Sequence, residues 1–184
     1  MLVTDRKTGL LGLYLAAPLT RPTYLLGKIG ALLVVLLIVT VGPLLLVLIG
    51  FIFAEIGPDG FTEFLATLGR ILVSGVALSA YFTAIALAVS SMTRRNGFAS
   101  AGIIVLMVAS TILANVVRDT TDVGSWVRLF DLFGLPFDIV SRIYGVEAAW
   151  PETSTVTSVA GFVGVIAISM AITWFRVAKT QVTK

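Results

Sequence analysis

The ionisable side chains best placed to act together lie in one stretch of the chain, WVRLFDLFGLPFDIVSRIY, at positions 126–144. It holds Arg128, Asp131, Asp138 and Arg142. Asp138 and Arg142 stand four residues apart, the spacing at which opposite charges pair on one face of a helix. Because intrahelical pairing explains such spacing, we predict a structural role for these charges and no catalytic cluster.

Other chemistry is limited by two missing residue types. The 184 residues include no histidine and no cysteine. This composition removes imidazole and thiolate metal ligands, Ser-His and Cys-His nucleophile pairs, and disulfides. We therefore predict a protein that is not an enzyme, with no catalytic residue, no metal site and no cofactor.

The elements that carry these residues are predicted from the hydropathy of the chain. Hydrophobic residues make up 58% of it, charged residues 12%, and the mean hydropathy is +1.03. Four runs of 22 to 26 residues carry no charge, and about 20 apolar residues suffice for a helix to cross a bilayer. We predict an all-α polytopic membrane protein forming one transmembrane domain over residues 1–184, with spans at 29–54, 71–93, 97–117 and 153–175.

The distribution of charge predicts how the chain is oriented. Basic residues dominate the N-terminal segment 1–28, the loop at Arg94 and Arg95, and the C-terminal tail. Acidic residues dominate the loop after span one, where we expect Glu55, Asp59 and Glu63 to precede an Arg70 at the start of the next helix. They also dominate the segment 118–152. By the positive-inside rule both termini are cytoplasmic, and the protein is a multi-pass protein of the inner or plasma membrane. We call residues 118–152 the outer segment.

Span two carries small residues at four-residue spacing, Gly75, Ser79 and Thr83. Small residues at this period let two helix backbones approach closely. The stripe has two readings, a moving subunit interface or static packing within the bundle. In span one, Gly42-Pro43 is the predicted site of a kink.

The outer segment shows apolar periodicity that predicts two short amphipathic helices joined at a Gly134-Leu135-Pro136 break. Lipid cannot satisfy irregular backbone, so this hairpin should lie at the outer interface or dip shallowly under a cover of protein. One reading is an external gate and another is a lid that only seals the bundle. The candidates for the gate are Trp126, Phe130, Phe133 and Phe137.

The N-terminal segment has two alternative readings. Its basic start, leucine-rich run and Ala16-Ala17 imitate a secretory signal peptide. Cleavage there would leave Arg21 and Lys28 outside, against the positive-inside bias of the remaining chain. The other reading is a short apolar helix that ends before Pro18, followed by a second helix with Pro22 in its first turn that continues into span one.

Several residues in this segment match a family motif. Asp5, Gly9, a leucine-rich turn, Pro18-Leu19-Thr20-Arg21 and Gly27-Lys28 resemble the cytoplasmic coupling segment of type-2 ATP-binding-cassette (ABC) transporter permeases. That family often has threonine and glutamate where this chain has Leu10 and Gly12. Its members usually have six spans, two of them ahead of the coupling segment, so the resemblance implies an incomplete or atypically short permease.

The resemblance implies the permease subunit of an ATP-driven transporter, expected to be an exporter. The expected partners are a separate cytoplasmic ATP-binding-cassette ATPase, a second permease copy or paralogue, and membrane lipid, with no nucleic acid. No phosphate-binding Gly-x-x-x-x-Gly-Lys-[Ser/Thr] loop occurs in the chain. The residues expected to couple to the ATPase are Asp5, Gly9, Leu13, Pro18, Arg21 and Pro22. The alternative is a small membrane scaffold or accessory protein without transport activity.

Overall fold

A computed structural model describes residues 21–93, 96–121 and 124–178, and within these residues all regular secondary structure is helical. Four long helices are long and apolar enough to cross a membrane, which confirms the predicted all-α membrane fold. The helices are α1 (Arg21–Phe53), α2 (Phe61–Met92), α3 (Asn96–Thr120), a 3₁₀ helix (Ser125–Phe130), α4 (Gly134–Tyr144) and α5 (Thr155–Ala178). Outer denotes the end of the bundle that carries the outer segment, and inner the opposite end.

Helix α2 is the centre of the bundle, since α1, α3, α4 and α5 all pack against it. In its most apolar stretch 56% of the residues are buried, against 11% in α1, 11% in α3 and 17% in α5. The three surrounding helices thus present apolar faces outward. A membrane supplies the apolar surroundings that such faces need.

The main core surrounds Tyr81 of α2. Its ring stacks on Phe162 of α5, with ring centroids 4.8 Å apart, and the buried side chains of Met107 and Leu135 complete the same cluster. Leu135 belongs to α4, so the outer segment contributes directly to the principal core. It is therefore an integral layer of the bundle.

The small-residue stripe of α2 is the contact with α1. Gly75 and Ser79 are buried, and Ser79 Oγ lies 3.0 Å from Thr40 Oγ1. A methyl group at position 75 would overlap the side chain of Val41. The stripe therefore packs within this chain and lets the backbones of α1 and α2 approach closely.

Helices α1 and α2 are longer than the predicted spans. Helix α1 continues through Pro43 as one element, and its 33 residues extend about 50 Å at 1.5 Å per residue. Helix α2 begins at Phe61, so the expectation that Glu63 lies in a loop and Arg70 at the helix start is wrong. A charge-free run identifies only the part of a helix that lies in lipid. The helix continues beyond that part wherever its backbone hydrogen bonds are maintained.

The outer segment as candidate functional site

The outer segment folds back between the spanning helices. Thr111 donates a hydrogen bond to Asp131, with Oγ1 and Oδ1 2.6 Å apart. Thr111 lies nine residues from the outer end of α3 at Thr120, which is about 13 Å along the helix. The chain between the 3₁₀ helix and α4 thus reaches well below the outer ends of the helices. The segment is covered by protein as expected, but it reaches deeper into the bundle than the shallow dip that the sequence predicted.

Asp131 provides the polar contacts of this deep turn. Its Oδ1 also accepts hydrogen bonds from the amides of Phe133, 3.2 Å away, and Gly134, 2.8 Å away. Those amides lie at the start of α4, where helix N–H groups lack intrahelical partners and the helix dipole favours a negative charge. A neighbouring amide, that of Leu132, donates to Ser110 Oγ at 3.2 Å. The turn is thereby satisfied by protein at a depth where water is scarce.

Asp138 and Arg142 form the predicted ion pair on α4, with Arg142 Nε 2.8 Å from Asp138 Oδ2. Asp138 is fully buried, and its Oδ1 accepts from the amide of Trp150 at 3.0 Å. The Arg142 guanidinium donates to Thr155 Oγ1 at 2.7 Å and to the carbonyl of Thr153 at 2.8 Å. A buried pair persists only when such extra bonds satisfy it. Here they tie α4 to the loop before α5 and to the first residue of α5.

Arg128 does not pair with Asp131, although only three residues separate them; it pairs with Glu152. Its Nε lies 3.0 Å from Glu152 Oε1, and Arg118 Nη2 lies 3.6 Å from the same oxygen. The pKa of Glu152 is lowered below its ordinary value. The main cause is a hydrogen bond from the backbone amide of Glu152 itself, and the positive charges of Arg128 and Arg118 add to it. Asp131 is unavailable to Arg128 because it caps α4 instead.

The four gate candidates are exposed and form two pairs of neighbouring rings, which together we call the aromatic ridge: Trp126 with Phe130, and Phe133 with Phe137. Their exposed fractions lie between 47% and 62%, and neighbouring rings approach to 6.0 Å and 5.2 Å. On α4 the ring of Phe137 therefore faces outward, while the charged Asp138 is buried beside Leu135 and Ile139. An exposed aromatic ring next to a buried charge suits a helix that lies against lipid.

The predicted break at Gly134–Pro136 is wrong, because these residues form the first turn of α4. The break lies at 131–133, and the piece before it is a six-residue 3₁₀ helix. Proline is tolerated in a first turn, where the missing N–H has no intrahelical acceptor. A methyl group at position 134 would lie 2.7 Å from the Trp150 ring, so glycine is required by close packing.

The residues that sequence reasoning missed are neutral hydroxyls within spans: Tyr81, Ser110 and Thr111. Each bonds the deep turn, Tyr81 through its hydroxyl to the carbonyl of Leu132 at 2.9 Å. Their one signal in the sequence is polarity inside an apolar run. The coupling candidates Asp5, Gly9, Leu13 and Pro18 lie outside the described residues, whereas Arg21 and Pro22 are the first two residues of α1.

The charged side chains of the outer segment hold its turns and helices in position. No group of three or more His, Cys, Asp or Glu side chains that could hold a metal exists within residues 21–93, 96–121 and 124–178. Asp131, Asp138 and Glu152 are each engaged by donors of the fold itself. No family model, curated protein or solved structure matches the chain.

Proposed function

We propose that this protein is the membrane-spanning permease subunit of an ATP-driven transporter of the type-2 ABC class. In this proposal a separate ATPase subunit hydrolyses ATP at the inner face, and the spans convert its movement into a change at the outer half of the bundle. Export is the direction expected from the family. The chain works with a second copy or a paralogue and resides in the inner or plasma membrane, with both termini in the cytoplasm.

The observation that carries the proposal is the folded-back outer segment. Irregular backbone occurs at membrane depth only where protein covers it or where it lines a cavity. Here a turn, a 3₁₀ helix and α4 occupy the outer half of the bundle between α2, α3 and α5. A protein that merely anchors or scaffolds needs only its spanning helices, whereas a transporter needs an element that closes one side.

Helix α1 supports the same proposal. It is continuous from Arg21 to Phe53, so a displacement at its inner end is transmitted along a rod of about 50 Å. The rod contacts α2 at Thr40 and Ser79, next to the Tyr81 that bonds the deep turn. In the proposed mechanism the coupling segment pushes the inner end of α1, and α2 passes the motion to Leu132.

The experiment is co-purification from the native membrane, followed by ATPase assays. We expect an ATP-binding-cassette subunit, identified by mass spectrometry, to purify with the protein. Arg21→Ala and Leu13→Ser should lose this association or the stimulation of ATP hydrolysis, because both change the predicted docking surface. Lys184→Ala serves as a control for a basic residue in the predicted cytoplasmic tail. Normal association and normal substrate-stimulated hydrolysis in both variants would refute the proposal.

The small scaffold remains the second candidate, favoured by the hydrogen bonds that hold Asp131 and Asp138 within the fold. A segment whose buried carboxylates are bonded by the protein itself is suited to a static seal. A scaffold predicts that no ATPase subunit purifies with the protein. It also predicts that locking the outer segment with a cross-link leaves every activity of the cell membrane unchanged.

A further inference from the structure

The loop that joins α1 and α2 carries a surface that the bundle does not use. Residues 51–65, which we call the α1–α2 tip, include three large apolar side chains, Phe53, Ile56 and Phe61, that are 69–85% exposed. Three acidic residues accompany them, Glu55, Asp59 and Glu63, and no lysine or arginine occurs from position 29 to 69. The α1–α2 tip is therefore both apolar and uniformly acidic.

The position of the α1–α2 tip follows from the helix contacts. Thr40 lies beside Ser79. Along α1 and α2, the nearest charged residues are Lys28 on the inner side of that level and Arg70 on the outer side. Lys28 lies twelve residues from Thr40 along α1, and Arg70 lies nine residues from Ser79 along α2. Measured along the helix axes, the two charged residues are therefore roughly 31 Å apart. This distance equals the hydrocarbon thickness of about 30 Å. We therefore take Arg70 to mark the outer edge of the hydrocarbon layer.

The α1–α2 tip projects beyond this edge. Phe61 lies nine residues outward of Arg70 on α2, which is about 13 Å. Phe53 lies thirteen residues outward of Thr40 on α1, about 6 Å beyond the level of Arg70. The headgroup region adds only about 5–7 Å on each side of the hydrocarbon, so Phe61 lies in water. A large apolar side chain in that position marks an interaction site.

The backbone adds an independent observation. Helix α1 ends in a Schellman arrangement, in which the amide of Ile56 bonds the carbonyl of Phe51 and the amide of Glu55 bonds that of Ile52. Glu55 takes the left-handed position, with φ 58°, where glycine is normally found. A glutamate held there at a cost of about 1 kcal/mol places a charge at the α1–α2 tip that stability alone does not require.

We propose that the α1–α2 tip is a docking site for a cationic polypeptide with an apolar face, on the outer side of the membrane. Charge complementarity identifies this occupant, since three carboxylates without a neighbouring base attract lysine and arginine. A second copy of the chain would bring three like charges to the contact, which is unfavourable. Insertion into lipid would transfer three carboxylates from water, which is more costly still.

The test uses the protein in phosphatidylcholine nanodiscs and a fluorescent amphipathic lysine/leucine peptide as the probe. We expect binding that weakens with salt and that is at least about tenfold tighter than binding to empty nanodiscs. Glu55→Gln/Asp59→Asn and Phe53→Ser/Phe61→Ser should each abolish this excess. The matched controls, Asp119→Asn/Glu147→Gln and Val146→Ser/Val156→Ser, alter exposed outer residues elsewhere and should retain it.

Three outcomes would overturn the proposal. The first is that the peptide binds the protein no more tightly than it binds empty nanodiscs, or that the tip variants bind it as tightly as their controls do. Either result means that the α1–α2 tip does not recognise cationic polypeptides. Self-association that is lost only in the tip variants assigns the surface to a second copy. The third outcome concerns the variant Phe61→Cys, whose thiol is unique because the chain otherwise lacks cysteine. If this thiol fails to react with a water-soluble maleimide, the α1–α2 tip lies in lipid. Thermal unfolding of each variant shows that the bundle is intact.

Discussion

The hydroxyl of Tyr81 donates a hydrogen bond to the carbonyl oxygen of Leu132, 2.9 Å away, and joins the middle of α2 to the deepest turn of the outer segment. Tyr81→Phe keeps the ring that stacks on Phe162 and leaves the carbonyl of Leu132 without this donor. We expect the free energy of unfolding to fall by about 1–3 kcal/mol, the cost of a buried unsatisfied polar group. Thermal unfolding in detergent measures it.

Phe82→Leu is the matched control, since Phe82 meets the Tyr81 ring only edge-on at 5.6 Å. It should leave the hydrogen bond in place. If Tyr81→Phe were no less stable than wild type, the bond would not hold the outer segment in position.

The buried pair of Asp138 and Arg142 gives a second prediction. Arg142→Met should reduce stability by about 3–5 kcal/mol, because it leaves the carboxylate of Asp138 buried without its countercharge. The double variant Asp138→Leu/Arg142→Met should recover much of the loss, since no uncompensated charge remains. A double variant as unstable as the single one would show that the hydrogen bonds of Arg142 to the loop before α5 matter more than charge balance.

Two glycines of α2 allow a matched comparison of helix packing. Gly75→Ala places a methyl group against Val41 and should lower stability by about 1–3 kcal/mol through overpacking. Gly69→Ala meets nothing within 4 Å and should raise stability by up to about 1 kcal/mol through helix propensity. Equal effects of the two substitutions on thermal unfolding would mean that α1 and α2 do not approach closely at Gly75.

Trp126 reports on the depth of the aromatic ridge. In a Trp174→Phe background, the remaining tryptophans are the exposed Trp126 and the buried Trp150. Brominated phospholipids should quench the fluorescence of this variant strongly, because Trp126 faces lipid. The quenching should be lost in Trp126→Phe/Trp174→Phe. Quenching by aqueous iodide instead would place the aromatic ridge in water.

Glu152 predicts a mild acid sensitivity of the outer segment. Its pKa is lowered in the folded protein by the hydrogen bond from its own amide and by the charges of Arg128 and Arg118. These interactions therefore stabilise the folded state fully at pH values above the ordinary pKa of 4.5. That contribution is lost as the pH falls through the lowered value. The effect should be small because the carboxylate is 39% exposed. Unfolding of wild type and Glu152→Gln between pH 7 and about pH 3 should converge at the acidic end.

The sequence predicted the parts of this fold that depend on local patterns. Charge-free runs are sufficient to predict four spans, and the spacing of Asp138 and Arg142 is sufficient to predict their ion pair. The fold-back was anticipated only in outline, since its depth depends on Tyr81, Ser110 and Thr111. Their hydroxyls are common in spanning helices and carry no signal of a distant partner.

The amphipathic pattern of the outer segment was also ambiguous in its direction. Periodicity shows that Phe137 and Asp138 lie on different faces of α4, and a helix in water would bury the phenylalanine. In the structure the aspartate is buried, because Arg142 and the amide of Trp150 supply its hydrogen bonds. Only tertiary contacts reveal which of the two side chains is buried.

The polar contacts of α4 also dictate the order in which the protein can be assembled during synthesis. Asp138 and Arg142 obtain their partners from Trp150, Thr153 and Thr155, all of which leave the ribosome later. Until those residues arrive, lowering α4 into the membrane would carry unsatisfied charge with it. The full set of hydrogen bonds that holds α4 therefore forms only once the start of α5 is in place.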